Sequence, residues 1–180
     1  MTDLTSLSVA AIRDGVAAGA FTASEVAGAG YTAAAAAAAL DAFFLPTPEK
    51  TRGGAAKVDA ARAAGQTLGK LAGVPIGMKD LFATQGVQTT AASHILEGFK
   101  PEYESTVSQK LWDAGAGMLG KLNLDQFAMG SSNETSAFGN VISPWRRADG
   151  ANAPLAPGGS SGGSSAAVAA RLGPAATGTD

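Results

Sequence analysis

The sequence contains no cysteine and only one histidine among its 180 residues. Without cysteine there is no disulfide, no thiolate metal site and no cysteine nucleophile, so any nucleophile must be an oxygen or an amine. Charged residues make up only 16% of the chain, the formal net charge is -2, and the pI is near 5.4. This balance creates no field that would attract nucleic acid or an anionic membrane. Any RNA substrate would therefore have to be held mainly by another chain.

Long apolar runs are also missing. The alanine run from Ala33 to Ala39 is far shorter than the roughly 18 apolar residues that span a bilayer. Residues 1–14 include acidic side chains and lack the apolar segment of a signal peptide. We therefore expect a cytoplasmic protein with no membrane partner. What is present is a 46% apolar content and 24 glycines, which is typical of a globular domain with a buried core and many tight turns.

Hydrophobic spacing predicts a single α/β domain, with a helical lead-in over residues 1–66 and the start of a sheet core over residues 67–180. Capping residues and helical spacing predict three helices in the lead-in, at 2–18, from Thr22 or Ser24 through Leu40, and at 49–64. In the core, the pattern predicts strands at 71–82 and 118–122 and helices at 105–114 and 166–172. Nothing in the lead-in carries chemistry.

Lys79 lies near the end of the predicted strand 71–82. A buried lysine is costly unless it is paired or neutral, because burial lowers its pKa. The residues alone leave two interpretations open: a lysine tuned to act as a base, or a surface lysine or ion pair with Asp80. The lone histidine, His94, is interpreted as a structural hydrogen-bonding group.

The segment P-G-G-S-S-G-G-S-S-A-A-V-A-A, residues 157–170, turns directly into an alanine-rich helix. Ser160 and Ser161 should therefore lie at a helix N-terminus, among unpaired N–H groups and the positive end of the helix dipole. The turn satisfies G-x-S-x-G, but that hydrolase motif needs a histidine after the serine, and His94 precedes it. A phosphate-binding loop lacks its Gly-Lys-Ser/Thr, and a flexible linker is disfavoured by the helix that follows. What remains is a serine whose base is not histidine, for which Lys79 is the candidate.

Two further segments bear on ligand binding. Residues 115–120 match G-x-G-x-x-G, but a helix precedes them and a strand follows, which is the reverse of the dinucleotide-binding order. Residues 123–139 are dense in small polar groups after a strand, and such loops commonly line pockets.

The segments G-V-P-I-G-M-K-D (73–80) and P-G-G-S-S-G-G-S (157–164) together resemble the amidase signature family, serine amidases with a Ser–cis-Ser–Lys triad. Other segments resemble, more specifically, the branch of this family that feeds ammonia to tRNA-dependent amidotransferases. These segments are T-T-A-A-S-H-I-L-E-G-F, Y-E-S-T-V, L-D-Q-F-A-M-G-S-S-N-E-T-S-A-F-G, S-P-W-R and A-T-G-T-D. The resemblance implies an α/β/α sandwich around a central mixed sheet, preceded by N-terminal helices. It is weakest over those helices.

By position, Lys79 resembles the triad lysine and Ser160 the cis-serine, with either Gly159–Ser160 or Ser160–Ser161 as the cis bond. A neutral lysine can take a proton from a nucleophilic serine through a bridging serine hydroxyl. The family's substrate channel is lined by a loop that matches four residues here, so the predicted substrate-binding residues are Ala128, Met129, Gly130 and Ser131. Asn133 and Glu134 are weaker candidates.

The resemblance implies a glutaminase in a heterotrimer. Ammonia released from glutamine would pass to a B subunit, which uses ATP and Mg²⁺ to activate the misacylated tRNA that it holds, and a small C subunit would clamp the two. No cofactor and no metal are expected in this chain. A stand-alone amidase of the same superfamily and an inactive, truncated interaction module are the alternatives.

The family pattern continues T-D-T-G-G-S, in which the last serine is the nucleophile and the T-D-T-G amides form the oxyanion hole. Here the sequence reaches Asp180 before that serine. We therefore expect a truncated sandwich whose exposed sheet edge favours aggregation. We also expect residues 1–180 alone to show no amidase turnover, because the nucleophile and the oxyanion donors are missing.

Overall fold

A mixed sheet of four strands organises residues 3–180, the part of the chain that the computed structural model describes. The strands are β1 (Phe43–Pro46), β2 (Pro75–Lys79), β3 (Gly117–Leu122) and β4 (Ala175–Ala176). The helices are α1 (Val9–Ala18), α2 (Ala23–Ala36), α3 (Pro48–Ala63), α4 (Thr106–Asp113) and α5 (Gly162–Ala169). This is the mixed α/β class that the sequence predicts. Within residues 3–180 no helix has both the length and the apolar character needed to cross a bilayer.

The strand order is β1-β3-β2-β4. Strand β2 is parallel to both of its neighbours, whereas β1 runs antiparallel to β3. The carboxyl ends of β2 and β3 therefore meet at one edge of the sheet, with Lys79 paired to Leu122. Loops that follow these two strands necessarily share that edge, which is where functional groups collect in parallel sheets.

Helix boundaries follow local capping. Helix α1 begins after Ser8, whose hydroxyl accepts from the Ala11 amide, and ends at Gly19, where φ is 72°. The predicted helix 2–18 is therefore wrong in its first part, where a 3₁₀ turn (Leu4–Ser6) precedes α1, and its first residue lies outside the described residues. Helix α2 opens with a capping box between Thr22 and Glu25 and ends before the predicted Leu40.

The strands differ from their predictions in extent. The hydrogen-bonded part of the predicted strand 71–82 is β2 alone, and β3 lies one residue earlier at its start than predicted. Strand β1 was not predicted at all: it is short and ends in a proline, which is tolerated because β1 lies at the sheet edge. Helix α5 begins at Gly162, earlier than the predicted helix 166–172.

Successive side chains of β2 point to opposite sides of the sheet, and the two sides differ in character. On one side Ile76 packs with side chains of α1, α2 and α3 in an apolar cluster. On the same side, Met78 packs with Leu111 and Trp112 of α4 in a second apolar cluster. Lys79 points the other way, toward the start of α5. Lys79 thus lies on the side of the sheet opposite to these two apolar clusters.

Helix α5 lies unusually close to the end of β3. The amide of Gly163 donates to the carbonyl of Asn123 over 3.0 Å, and the amide of Asn123 donates to Ala42 over 2.9 Å. A β-carbon at Gly163 would lie 2.5 Å from the carbonyl oxygens of both Ala42 and Asn123. Real β-carbons do not approach backbone oxygens this closely, so this contact requires glycine.

Two glycine-to-alanine variants test this contact. Alanine normally stabilises a helix relative to glycine, so Gly53→Ala in α3, where a β-carbon meets nothing within 4 Å, should raise the free energy of unfolding by about 0.5–1 kcal/mol. Gly163→Ala should lower it by about 1–3 kcal/mol, because the added methyl group overpacks the contact. Urea unfolding of both variants beside the parent protein measures the difference. Stabilisation of equal size in both would contradict the close packing of α5.

Candidate active site

The side chain of Lys79 is completely buried and ends among hydroxyl groups. Its Nζ lies 2.8 Å from Ser160 Oγ, 2.8 Å from Ser161 Oγ and 2.6 Å from Thr179 Oγ1. A protonated amine would donate to all three hydroxyls, whereas a neutral amine would donate to two and accept from the third. The arrangement therefore suits either protonation state without moving a heavy atom.

Burial lowers the pKa of Lys79 below its ordinary value of 10.5, and the negative charge of Asp125 only partly opposes this. Among the described residues, the hydroxyls are the only side-chain partners of this amine. The interpretation of Lys79 as the ion-pair partner of Asp80 is wrong. Asp80 follows Lys79 on the strand and so points to the opposite side of the sheet, where it pairs with Lys121.

Ser160 is 9% exposed and lies on the tight turn before α5. Of the two bonds considered for the cis peptide, Gly159–Ser160 is the cis one. The carbonyl of Ser160 accepts from the amide of Asp125 over 3.0 Å. The turn is thus attached to the loop after β3, while the Ser160 hydroxyl remains directed at Lys79.

Ser161 and Thr179 complete the polar cluster around Lys79. Ser161 is the N-cap residue of α5, and its Oγ accepts from the Thr179 amide over 3.1 Å. The hydroxyl of Thr177 accepts from the backbone amide of Lys79 over 2.8 Å. The segment that follows β4 is therefore held against both Lys79 and the serine turn.

Sequence reasoning did not assign contacts with Lys79 to Ser161 or Thr179. Ser161 had one available signal, because it adjoins Ser160 in the same turn. Thr179 had no local signal, since its contact with Lys79 joins residues 100 positions apart. The parallel pairing of β2 with β4, which no local pattern reveals, brings the two segments together.

The four residues predicted to bind substrate lie beside the serine turn. A β-carbon at Gly159 would lie 2.7 Å from the carbonyl carbon of Ser131, so the two backbones are in contact. Ala128 is half-buried, whereas Met129, Gly130 and Ser131 are exposed, Met129 to 80%. The loop therefore forms part of the surface next to Ser160. Of the weaker candidates, Glu134 is exposed and Asn133 is buried.

Asp125 holds this loop and the serine turn together. Its carboxylate is completely buried and accepts from the Asn133 amide over 2.9 Å and from the Thr135 hydroxyl over 2.9 Å. The same carboxylate packs directly against the Cα atoms of Gly130 and Gly159, where a β-carbon would collide with it. Asp125 therefore brings a negative charge near Lys79 without a direct ion pair.

The remaining sequence motifs lie away from this cluster. His94 is exposed, and its Nδ1 lies 2.8 Å from Glu97 Oε2. Residues Gly117 to Gly120 belong to β3, between two other strands. Neither position offers a serine base or a phosphate cradle, in agreement with the interpretation of both motifs from sequence.

Comparison with known proteins shows which family the chain resembles. The family model described as Amidase matches residues 29–180. The chain is 78% identical to the A subunit of glutamyl-tRNA(Gln) amidotransferase from Novosphingobium aromaticivorans and 75% identical to that from Sphingopyxis alaskensis. In both cases the match covers 100% of this chain and 36% of the relative. The chain thus spans about a third of the length of these relatives.

Solved structures show the same fold. The native peptide amidase from Stenotrophomonas maltophilia superposes with a TM-score of 0.81 at 31% identity, over 93% of this chain and 35% of that one. The A subunit of glutamyl-tRNA(Gln) amidotransferase from Thermotoga maritima superposes with a TM-score of 0.73 at 30% identity, over 98% of this chain and 34% of that one. Since the family model covers most of the sequence and the fold agrees, the chain belongs to the amidase family.

Proposed function

We propose that this chain is the amino-terminal part of the glutaminase subunit of a tRNA-dependent amidotransferase, and that Lys79 and Ser160 carry its proton route. The observation that carries the proposal is the 2.8 Å contact between the buried Lys79 Nζ and Ser160 Oγ. Identities of 78% and 75% to the A subunits of two glutamyl-tRNA(Gln) amidotransferases support the choice of reaction.

In this proposal the nucleophile is the serine that ends the family pattern T-D-T-G-G-S, whose first two residues are Thr179 and Asp180 here. Neutral Lys79 takes a proton from the Ser160 hydroxyl as Ser160 takes one from the nucleophile. The nucleophile's oxygen bonds to the side-chain amide carbon of glutamine and forms a tetrahedral intermediate. The lowered pKa of Lys79 favours the neutral amine that this step requires.

The proton then returns along the same path. The carbon–nitrogen bond breaks, and Lys79, through Ser160, gives the proton to the leaving nitrogen, so that ammonia departs and a glutamyl ester remains on the enzyme. Water attacks the ester carbonyl while the same pair removes its proton. The bond between the acyl carbon and the serine oxygen then breaks, the pair returns the proton to that oxygen, and glutamate is released. Each cycle thus returns Lys79 to its neutral form, and no group from outside is needed for proton balance.

The loop formed by Ala128, Met129, Gly130 and Ser131 would contact glutamine, because it borders Ser160. The complete enzyme would be a cytoplasmic heterotrimer in which a B subunit uses ATP and Mg²⁺ to activate glutamate on misacylated tRNA(Gln) and receives the ammonia. A C subunit would clamp the two, and the glutaminase subunit itself would hold no cofactor.

A second candidate is a stand-alone amidase acting on a small amide. It is favoured by the superposition on the peptide amidase, whose TM-score of 0.81 exceeds the value of 0.73 for the Thermotoga maritima protein. The two candidates share the proton route and differ in their partners.

Three variants of the complete subunit test the proton route. Lys79→Ala and Ser160→Ala should each lower kcat for glutamine hydrolysis by about 10²–10⁴-fold, the range typical of a lost general base or proton relay. His94→Ala should leave it within about twofold, because His94 is exposed and its ring hydrogen-bonds to Glu97, away from the cluster around Lys79. Ammonia release in steady state measures all three. A large loss in His94→Ala with activity retained in Lys79→Ala would refute the assignment.

The pH dependence gives an independent test. Lys79 must be neutral to act as a base, so kcat/KM should rise with pH and level off once the amine is deprotonated. Because burial lowers the pKa of Lys79, the midpoint of that rise should lie below the ordinary value of 10.5. A rise that disappears in His94→Ala and persists in Lys79→Ala would instead assign the base to histidine.

Partner dependence separates the two candidate functions. Glutamine hydrolysis by the complete subunit should rise when the B and C subunits and misacylated tRNA(Gln) are added, and ammonia should appear in Gln-tRNA(Gln). Turnover of simple amides with no response to tRNA would favour the stand-alone amidase.

A further inference from the structure

A second lysine is buried at the same end of the sheet, and the proposed proton route does not use it. Lys121 near the end of β3 and Asp80 just after β2 are both completely buried, with Nζ and Oδ1 3.4 Å apart. Since Asp80 follows Lys79 on the strand, this pair lies on the opposite side of the sheet from Ser160. A buried ion pair is weak evidence for stability in itself, and the hydrogen-bond partners of this pair point to another role.

The pair holds both ends of the segment formed by residues 82–93. Lys121 Nζ donates to the Phe82 carbonyl over 2.6 Å and to the Thr89 hydroxyl over 2.9 Å. Asp80 Oδ2 accepts from the Thr90 amide over 2.9 Å and also from the Thr90 hydroxyl. The segment is thus fixed through charged groups at its start and near its end.

The end of this segment contacts the turn at residues 126–128, which leads into the predicted substrate loop. The carbonyl of Ala91 accepts from the Phe127 amide over 2.9 Å, and the hydroxyl of Ser93 accepts from the Gln126 side chain over 2.7 Å. Ala91 and Ala92 have φ values of 50° and 56°. Residues other than glycine hold such a backbone conformation only where surrounding contacts impose it. The contacts that impose it here include the hydrogen bond that the Thr90 amide donates to the Asp80 carboxylate and the one that the Ala91 amide donates to the Asp80 carbonyl over 3.0 Å.

A continuous path of hydrogen bonds therefore runs from the buried pair, through residues 89–93, to the turn at residues 126–128 and the loop beside Ser160. By contrast, none of the side-chain hydrogen bonds of Lys121 within the described residues reaches the cluster around Lys79. An effect of the pair on the reaction is therefore expected in substrate binding and not in proton transfer.

We propose that Asp80 and Lys121 are positioning residues for substrate binding. Through residues 82–93 they fix the position of the turn and loop formed by residues 126–131, beside Ser160. This inference rests on the proposed glutaminase function. Removing the pair should let the loop move, which weakens substrate binding, while the hydroxyl cluster on the other face of the sheet keeps its geometry.

The main test uses the double variant Asp80→Asn/Lys121→Met in the complete enzyme, with its partner subunits present. Removing both charges leaves no unpaired charge in the core, so the variant is expected to fold, whereas a single substitution would strand one charge. Its KM for L-glutamine should rise by about tenfold, with kcat within about threefold of the parent. Thr90→Val is a milder second variant: it keeps both charges, loses the hydroxyl bond to Asp80, and should raise KM by about threefold.

A second readout examines the proton route without the substrate loop. The rate at which a small tagged fluorophosphonate labels the nucleophilic serine depends on serine activation and not on glutamine recognition. It should stay within about twofold of the parent in both variants. The matched control is Lys110→Met, which removes an exposed lysine on α4 and should change neither KM nor labelling.

The outcomes separate the inference from the function on which it rests. An unchanged KM in Thr90→Val and in the folded double variant would overturn the inference, as would a fall in kcat and labelling with KM unchanged. If Thr90→Val raises KM as expected, the inference holds even where the double variant does not fold. Absence of both glutamine hydrolysis and serine labelling in the parent enzyme would refute the proposed function first, and the inference with it.

Discussion

The structure depends on one constraint: the amine of Lys79 is buried and must be satisfied without a carboxylate in contact with it. Transferring a charged amine from water into a protein is costly, and the cost falls when the group loses its proton or gains hydrogen-bond partners. Here the three hydroxyls of Ser160, Ser161 and Thr179 supply partners without supplying charge. The site thus satisfies the amine in either protonation state, which a reversible proton carrier requires.

Three segments that are distant from one another in the sequence meet at the end of β2 to satisfy this amine. The serine turn comes from the start of α5, Thr177 and Thr179 come from the segment after β4, and Asp125 comes from the loop after β3. They fit within hydrogen-bond distance because the turn and the helix carry glycine where backbones touch. A β-carbon at Gly159 would collide with Asp125 and one at Gly163 with the end of β3. The glycine-rich composition is therefore a packing requirement of the site as well as a source of turns.

Local patterns predicted the parts of the fold that local physics determines. Caps and periodicity gave the helices of the lead-in, and short apolar runs gave β2 and β3. Strand β1 was missed because four residues ending in proline carry no period, and the strand exists only through pairing with β3. The contact of Lys79 with Ser160 was predicted because the two motifs implied it together. The contacts with Thr179 and between Asp80 and Lys121 could not be predicted, because they depend on strand order and on which face each side chain occupies.

Comparison of the two buried lysines shows why burial alone does not identify a proton carrier. Both are fully buried on neighbouring strands, and burial lowers the pKa of both, that of Lys121 to about 8. Lys121 faces a carboxylate and a backbone carbonyl, which can only accept hydrogen bonds from it. Its two hydroxyl partners, Thr89 and Thr84, also act as acceptors, because each donates its own hydrogen to a backbone carbonyl. Losing a proton there would remove a donor from a site built of acceptors. Lys79 faces hydroxyls, which accept from the charged amine and donate to the neutral one. In the proposed function, the chemistry of these partners suits Lys79 to proton transfer and suits Lys121 to holding a backbone segment in place.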